Sequence, residues 1–207
     1  MYPGKYQHIL FSLMISFLLI VGVLVIMNNN ALIVHAEPLD LFVTPSGSGT
    51  CSQASPCDLP TALSMASSGD SIYIAGGTYT GSGSAVVTIT ESLALYGGWD
   101  GSQSGPILRD PEAFPTTLDG EYQRRVIYIS GLVTTTVDGF EITGGNAFNL
   151  GGFGVNDAGG GIFAENANVV IKNNHISRNH GSYDDETSSF GGGIFLSGPY
   201  INNLTVE

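Results

Sequence analysis

AGGGIFAEN, residues 158–166, returns as FGGGIFLSG at 190–198, with the two glycine triplets starting 191 − 159 = 32 positions apart. A single glycine-rich stretch reads as a loop, whereas a self-similar one at a fixed period reads as stacked structural units. The flanking sequence carries a similar period. Aligning TVDGFEITGG (136–145) with VIKNNHISRN (170–179) places Val137 with Ile171, Phe140 with Asn174 and Ile142 with Ile176, an offset of 176 − 142 = 34. The closing LTVE places Val206 with Ile171, at 206 − 171 = 35. These offsets are too long for one hairpin. They suit a coil of three short strands joined by turns and a loop of variable length, stacked so that each coil touches only its neighbours.

The register makes residue-level predictions. With Val137, Ile171 and Val206 inward, strand alternation turns Asp138, Lys172 and Glu207 outward in one column of alternating charge, and sets Glu141 beside His175. Opposite charges on adjacent strands contribute about 0.2–1 kcal/mol each, a structural role. Gly139 and Asn173, next along, tolerate positive φ and mark a tight bend between two strands. The triple glycines mark where a loop re-enters the stack, with Ile162 over Ile194 in the core and Phe163 over Phe195 in the next column. GGFG and GGGIF lack the spacing of a dinucleotide-binding loop, and no Walker-type GK[ST] occurs.

From Leu41 onward the chain alternates short runs rich in Ile, Val, Thr, Phe and Tyr with glycine, which is strand composition. LPTALSMASSGD (59–70) interrupts it, with Leu59, Leu63 and Met65 or Ala66 near helical spacing and Gly69 as a stop; one short helix is predicted there.

The first 36 residues read as a targeting segment. Lys5 and the amino terminus supply positive charge, Ile9 to Met27 is uncharged and apolar, and Val34-His35-Ala36 offers small residues for cleavage after Ala36. An uncleaved anchor is the competing reading, because the apolar run approaches the ~20 residues that span a bilayer. Either way the remainder is exported, secreted or held at the cell surface. Cys51 and Cys57, the two cysteines, then form a disulfide in an oxidising compartment. A two-cysteine metal site lacks the further His or Cys that a tetrahedral zinc shell needs. The formal net charge of −12 over 207 residues disfavours nucleic acid and anionic membrane surfaces as partners.

The stretches LFVTPSGSGTCSQASPC, ALSMASSGDSIYIAGGTYT, LALYGGWD, TTLDG, TTTVDGFEITGG, GGGIF and NNHISRN together resemble the start of secreted bacterial parallel β-helix proteins. These form the pectin-lyase-like superfamily, which includes pectate lyases, polygalacturonases, pectin methylesterases and alginate epimerases. The paired GGGI and NNxIxxN elements are also similar to repeats of polymorphic outer-membrane proteins and surface adhesins. The resemblance implies an all-β, right-handed, single-stranded parallel β-helix with a short amino-terminal capping helix. Residues 37–70 would form the cap and 71–207 the coils. Because the chain stops in mid-strand at NLTVE, further coils are expected beyond Glu207.

Fold resemblance does not carry function, which has to be argued from a site. A lyase of this kind would need calcium-binding acids and a basic residue, but Arg109, Arg124, Arg125, Lys172 and Arg178 show no arrangement with clustered acids and read as surface residues. A glycoside hydrolase would need two carboxyls; Asp184-Asp185 and the Asn179-His180-Gly181 element stand in the wrong order for the polygalacturonase pattern, and the RIK and DPH elements are absent. The strongest remaining candidate is NHGSYDDETSSF (179–190). There His180, Tyr183, Asp184, Asp185 and Glu186 share one inserted loop, and the three acids supply hard oxygen ligands suited to Ca²⁺. The expected function is an exported scaffold that binds polysaccharide or cell-surface glycan, adhesive and non-catalytic in this segment. The alternative is a lyase or hydrolase of acidic polysaccharide whose catalytic residues lie partly beyond Glu207.

Overall fold

A run such as SIYIA or RVIYIS alternates apolar side chains between two faces, and each such run is a strand in the computed structural model, which describes residues 37–154, 156–182, 189–198 and 204–206. The strands are β1 (Asp40–Val43), β2 (Ser71–Ala75), β3 (Gly77–Tyr79), β4 (Ala85–Ile89), β5 (Ala94–Trp99) and β6 (Thr116–Asp119). They continue as β7 (Arg125–Ser130), β8 (Thr134–Asp138), β9 (Phe140–Thr143), β10 (Gly152–Phe153), β11 (Asn156–Ala158) and β12 (Ile162–Glu165). The last are β13 (Asn168–Lys172), β14 (His175–Ile176), β15 (Ser189–Phe190), β16 (Ile194–Ser197) and β17 (Leu204–Val206). One helix, α1 (Leu59–Met65), lies between β1 and β2.

Three parallel sheets run the length of the stack, in the orders β1-β2-β5-β8-β13-β17, β3-β6-β9-β14 and β4-β7-β12-β16. Each coil supplies one strand to each sheet, as in β5-β6-β7 or β8-β9-β12, so the architecture is a parallel β-solenoid. The expected register is observed: Val137 pairs with Ile171 and Ile171 with Val206, Glu141 with His175, and Ile162 with Ile194. Inward columns Ile72-Leu95-Val137-Ile171, Leu118-Ile142 and Ile127-Ile162 are at most 2 % exposed and belong to one continuous core. Burying each such side chain contributes about 1.5–3 kcal/mol.

The glycine triplets have two separate causes. Gly159 (φ +67°) and Gly191 (φ +53°) occupy the left-handed region. Gly160 and Gly161 leave no room for a side chain, since a Cβ would strike the carbonyl of His180 or of Gly193 in the next coil. The predicted bend is present too, with Gly139 at φ +84° and Asn173 at φ +49°. Beside it, Asn174 Oδ1 accepts from Phe140 N (2.9 Å) and its Nδ2 donates to Val137 O (2.8 Å). Asn179 repeats the device on Gly145 N and Ile142 O (2.8 and 2.9 Å). The NNxIxxN element is therefore a pair of amide clips, each fastening its coil to the preceding one.

At the amino-terminal end, Cys51 and Cys57 are disulfide-bonded and almost fully buried. Their backbones pair with β1: Phe42 N donates to Cys51 O and Cys57 N to Phe42 O. Helix α1 starts at Asp58, whose carboxylate accepts from Thr61 N (2.8 Å) and is held below the usual carboxylate range by its hydrogen bonds to Thr61. It ends at Met65, with Ala66 as cap, where the sequence pattern stops, and Asp70 then captures Ser67 N and Leu39 N into a turn. The packed residues are Leu59 and Ala62, while Met65 faces solvent at 52 % exposure.

Three further departures from the sequence reading concern side chains outside the core. Arg124 and Arg125, expected on the surface, are 7 % and 6 % exposed. Asp138, in register with Lys172 as expected, forms an ion pair at 3.4 Å with Arg109, a loop residue that the sequence reading does not bring to it. A small fourth sheet, β10-β11-β15, has its β10-β11 pair antiparallel and packs a loop over the stack. The targeting segment (residues 1–36), Glu207 and the loop residues 183–188 lie outside the described residues.

Candidate functional site

The outward side chains of a solenoid face water unless a loop covers them, so coil length shows where the surface is elaborated. Ile72 to Leu95 spans 95 − 72 = 23 residues, but Leu95 to Val137 spans 137 − 95 = 42, although both are partners one coil apart. Most of the excess is the segment between β5 and β6. Its Ile107 packs on Phe42, Ala75 and Trp99, outside the main core.

Arg109 fixes that segment to the sheet. Its Nε donates to Gly97 O (2.9 Å), its Nη2 to Asp138 O (3.0 Å), and its guanidinium lies 4.7 Å from the ring centre of Tyr96. Gly139 permits the approach, because a Cβ there would sit 2.8 Å from Arg109 Nη2 and from Pro111 Cγ. Beyond this clamp the segment stands off from the bends β8-β9 and β13-β14. Two cavities of about 420 and 560 Å³ open there and share Pro111, Glu112 and Asn173, forming one trough.

The trough is lined chiefly by planar polar groups: Glu112, Glu141, Asp138, Asn173 and His175, with Phe140, Pro111 and Pro115 as apolar walls. Several are pre-oriented. Thr117 Oγ1 donates to Glu141 Oε2 at 2.8 Å, and Asn173 Nδ2 to Asp138 Oδ1 at 3.0 Å. With Arg109 neutralised by Asp138, the remaining charge at the rim is negative, from Asp110, Glu112 and Glu141. Such a surface can accept and donate hydrogen bonds to hydroxyls, but it repels anions.

The sequence singled out a different loop. His180 is described: its backbone pairs with Asn146, and its ring centre lies 5.8 Å from that of Tyr122. Asn146 accepts at Oδ1 from the N–H of Phe148 (3.0 Å), which is 40 % exposed, and donates through Nδ2 to Tyr122 O (3.0 Å). Tyr183, Asp184, Asp185 and Glu186, and with them the expected calcium ligands, lie outside the described residues. Among the described residues no three His, Cys, Asp or Glu side chains are grouped to hold a metal ion. Sequence reading missed the trough because its walls are separated by roughly one or two coils. The signal available was the long insertion between LALYGG and TTTVDG.

Residues 44–203 match the model of a family described as a protein of unknown function (DUF1565). The chain belongs to this family. The trough and the Tyr122–His180 pair fall within the DUF1565 segment, as do all the described strands except β1 and β17. No curated protein and no solved structure matches the chain.

Proposed function

We propose that this DUF1565 protein is an exported scaffold, secreted or held at the cell surface, that binds neutral or amino-sugar glycans along the trough beside Arg109. We further propose that its coils wind right-handed, as in the pectin-lyase-like superfamily that the sequence resembles. The observation that carries the functional reading is the lining: carboxylates, an amide and an imidazole, held by Thr117 and Asp138, between proline and phenylalanine walls. Paired planar acceptors and donors suit vicinal hydroxyls, and hydrogen bonds involving charged groups are the stronger ones. The excess of acids favours a neutral or cationic glycan over an acidic one, in contrast to a pectin-like substrate.

The test is calorimetric titration with neutral and amino-sugar oligosaccharides chosen by array screening. Glu112→Ala and His175→Ala should each weaken the best ligand roughly tenfold. Absence of binding to any such oligosaccharide, or affinity untouched by both substitutions, would overturn the reading. Release of reducing ends during the titration would instead favour the hydrolase alternative, with Glu112 and Glu141 as the carboxyl pair to substitute first.

A further inference from the structure

Arg125 opens β7 and is 6 % exposed, yet among the described residues it makes no ion pair. Its acceptors are all backbone carbonyls: Nε and Nη2 donate to Ala158 O (3.1 and 3.0 Å), Nη1 to Leu150 O (3.3 Å), and Nη2 also to Gly151 O. These four bonds use four of the five guanidinium N–H donors, leaving one on Nη1. The nearby Asp157 carboxylate is already engaged by Asn149 N (2.9 Å) and Gly151 N (2.8 Å). Loss of water depresses the Arg125 pKa, opposed by Tyr128 and Asp157. Phe163 supplies a ring face 4.6 Å from the guanidinium, a partial substitute for a counter-charge.

Buried charges are ordinarily paired, and this one borders an empty space. A cavity of about 340 Å³ is lined by Arg125 with Ser84, Tyr128, Leu150, Phe163 and Glu165 among others. Tyr128 and Phe163 are stacked on each other (5.7 Å, 17°), so their ring edges, the positive part of the quadrupole, face outward. One positive charge, one unused donor and two ring edges suit a single carboxylate. The carboxylate of Glu165, beside Tyr128 Oη (3.5 Å), supplies an acceptor for hydroxyls elsewhere in the same cavity.

We propose that this cavity binds a small hydroxylated monocarboxylate, its carboxylate on the Nη1 side of Arg125 and its hydroxyls towards Glu165. A monoanion balances Arg125, whereas a dianion such as phosphate adds repulsion from Glu165. The site is separate from the trough and independent of what the trough binds.

The experiment is an NMR titration of the exported chain, following the Arg125 Nε–H resonance, with gluconate, acetate, phosphate and chloride at one ionic strength. Gluconate should give a saturable shift, acetate a weaker one, and chloride none. Because Arg125 also holds backbone, the deciding variant is Glu165→Gln, which removes a repelling charge and should tighten acetate about threefold to tenfold. Equal shifts with chloride and gluconate, phosphate binding tighter than either carboxylate, or acetate affinity unchanged or weakened in Glu165→Gln would each overturn the proposal.

Discussion

Two outward columns of aromatic side chains run up this solenoid, each held by one arginine, and the arginines are treated differently. In the first, Phe42, Tyr73 and Tyr96 stack at 5.4 and 5.3 Å, and Arg109 over Tyr96 is partly exposed and paired with Asp138. In the second, Tyr128, Phe163 and Phe195 stack at 5.7 and 6.0 Å, and Arg125 over Phe163 is buried among carbonyls. Arg109 anchors a segment that water still reaches on one side, so a carboxylate and solvent share its charge. Arg125 organises a loop that excludes water, so it is satisfied by backbone dipoles and a ring face. In both columns the rings cover one another's faces, leaving mainly edges for a ligand. Flat stacking of a sugar on either ladder is therefore disfavoured.

The comparison presupposes the register, and the largest effect comes from testing it. Ile171→Asp places an unpaired charge in the core column and should abolish cooperative folding, monitored by far-UV circular dichroism and urea titration. A folded Ile171→Asp protein would mean that the inward and outward columns have been interchanged. Next, Arg125→Ala removes four hydrogen bonds and leaves buried carbonyls without their donor, a loss of about 3 kcal/mol in urea unfolding. A loss of under about 1 kcal/mol would show that loop residues 146–158 do not depend on it. Thr135 examines the same principle in reverse, because its buried Oγ1 has no hydrogen-bond partner among the described residues. Thr135→Val should raise stability by about 1 kcal/mol, and destabilisation would indicate a bonded hydroxyl. Arg109→Ala should cost the least, about 0.5–1 kcal/mol, and its effect should shrink at high salt while that of Arg125→Ala does not.

What could be read in the sequence follows from what repeats. Val137, Ile171 and Val206, or Phe163 and Phe195, occupy equivalent places in successive coils, so an alignment of the chain with itself finds their contacts. Gly139 and Asn173 were legible for the same reason, since residues that tolerate positive φ recur at the same bend. Arg109 and Arg125 have no equivalents one coil away. Their partners, Gly97, Asp138, Leu150 and Ala158, are reached by loops whose lengths differ from coil to coil, and charge alone placed both residues on the surface. The trough was hidden in the same way, because Glu112 meets Asn173 and His175 only after the fold has closed. The helix was legible from Leu59 to Met65, but not the turn after it, where Asp70 bonds Ser67 and Leu39, the latter from the far side of the helix in the chain.

The amide clips at Asn174 and Asn179 point one way: each secures backbone groups laid down about 34 residues earlier. A newly emerging chain would therefore find the β8-β9 layer provisional until the β13-β14 layer arrives, then latched. Such order makes this one step of elongation a ratchet, in which forward progress is stabilised and retreat requires opening both amides first. Stretching the chain from its carboxy-terminal side should consequently release the β13-β14 layer in a discrete step, whereas pulling from the amino-terminal side would meet a disulfide-fastened cap.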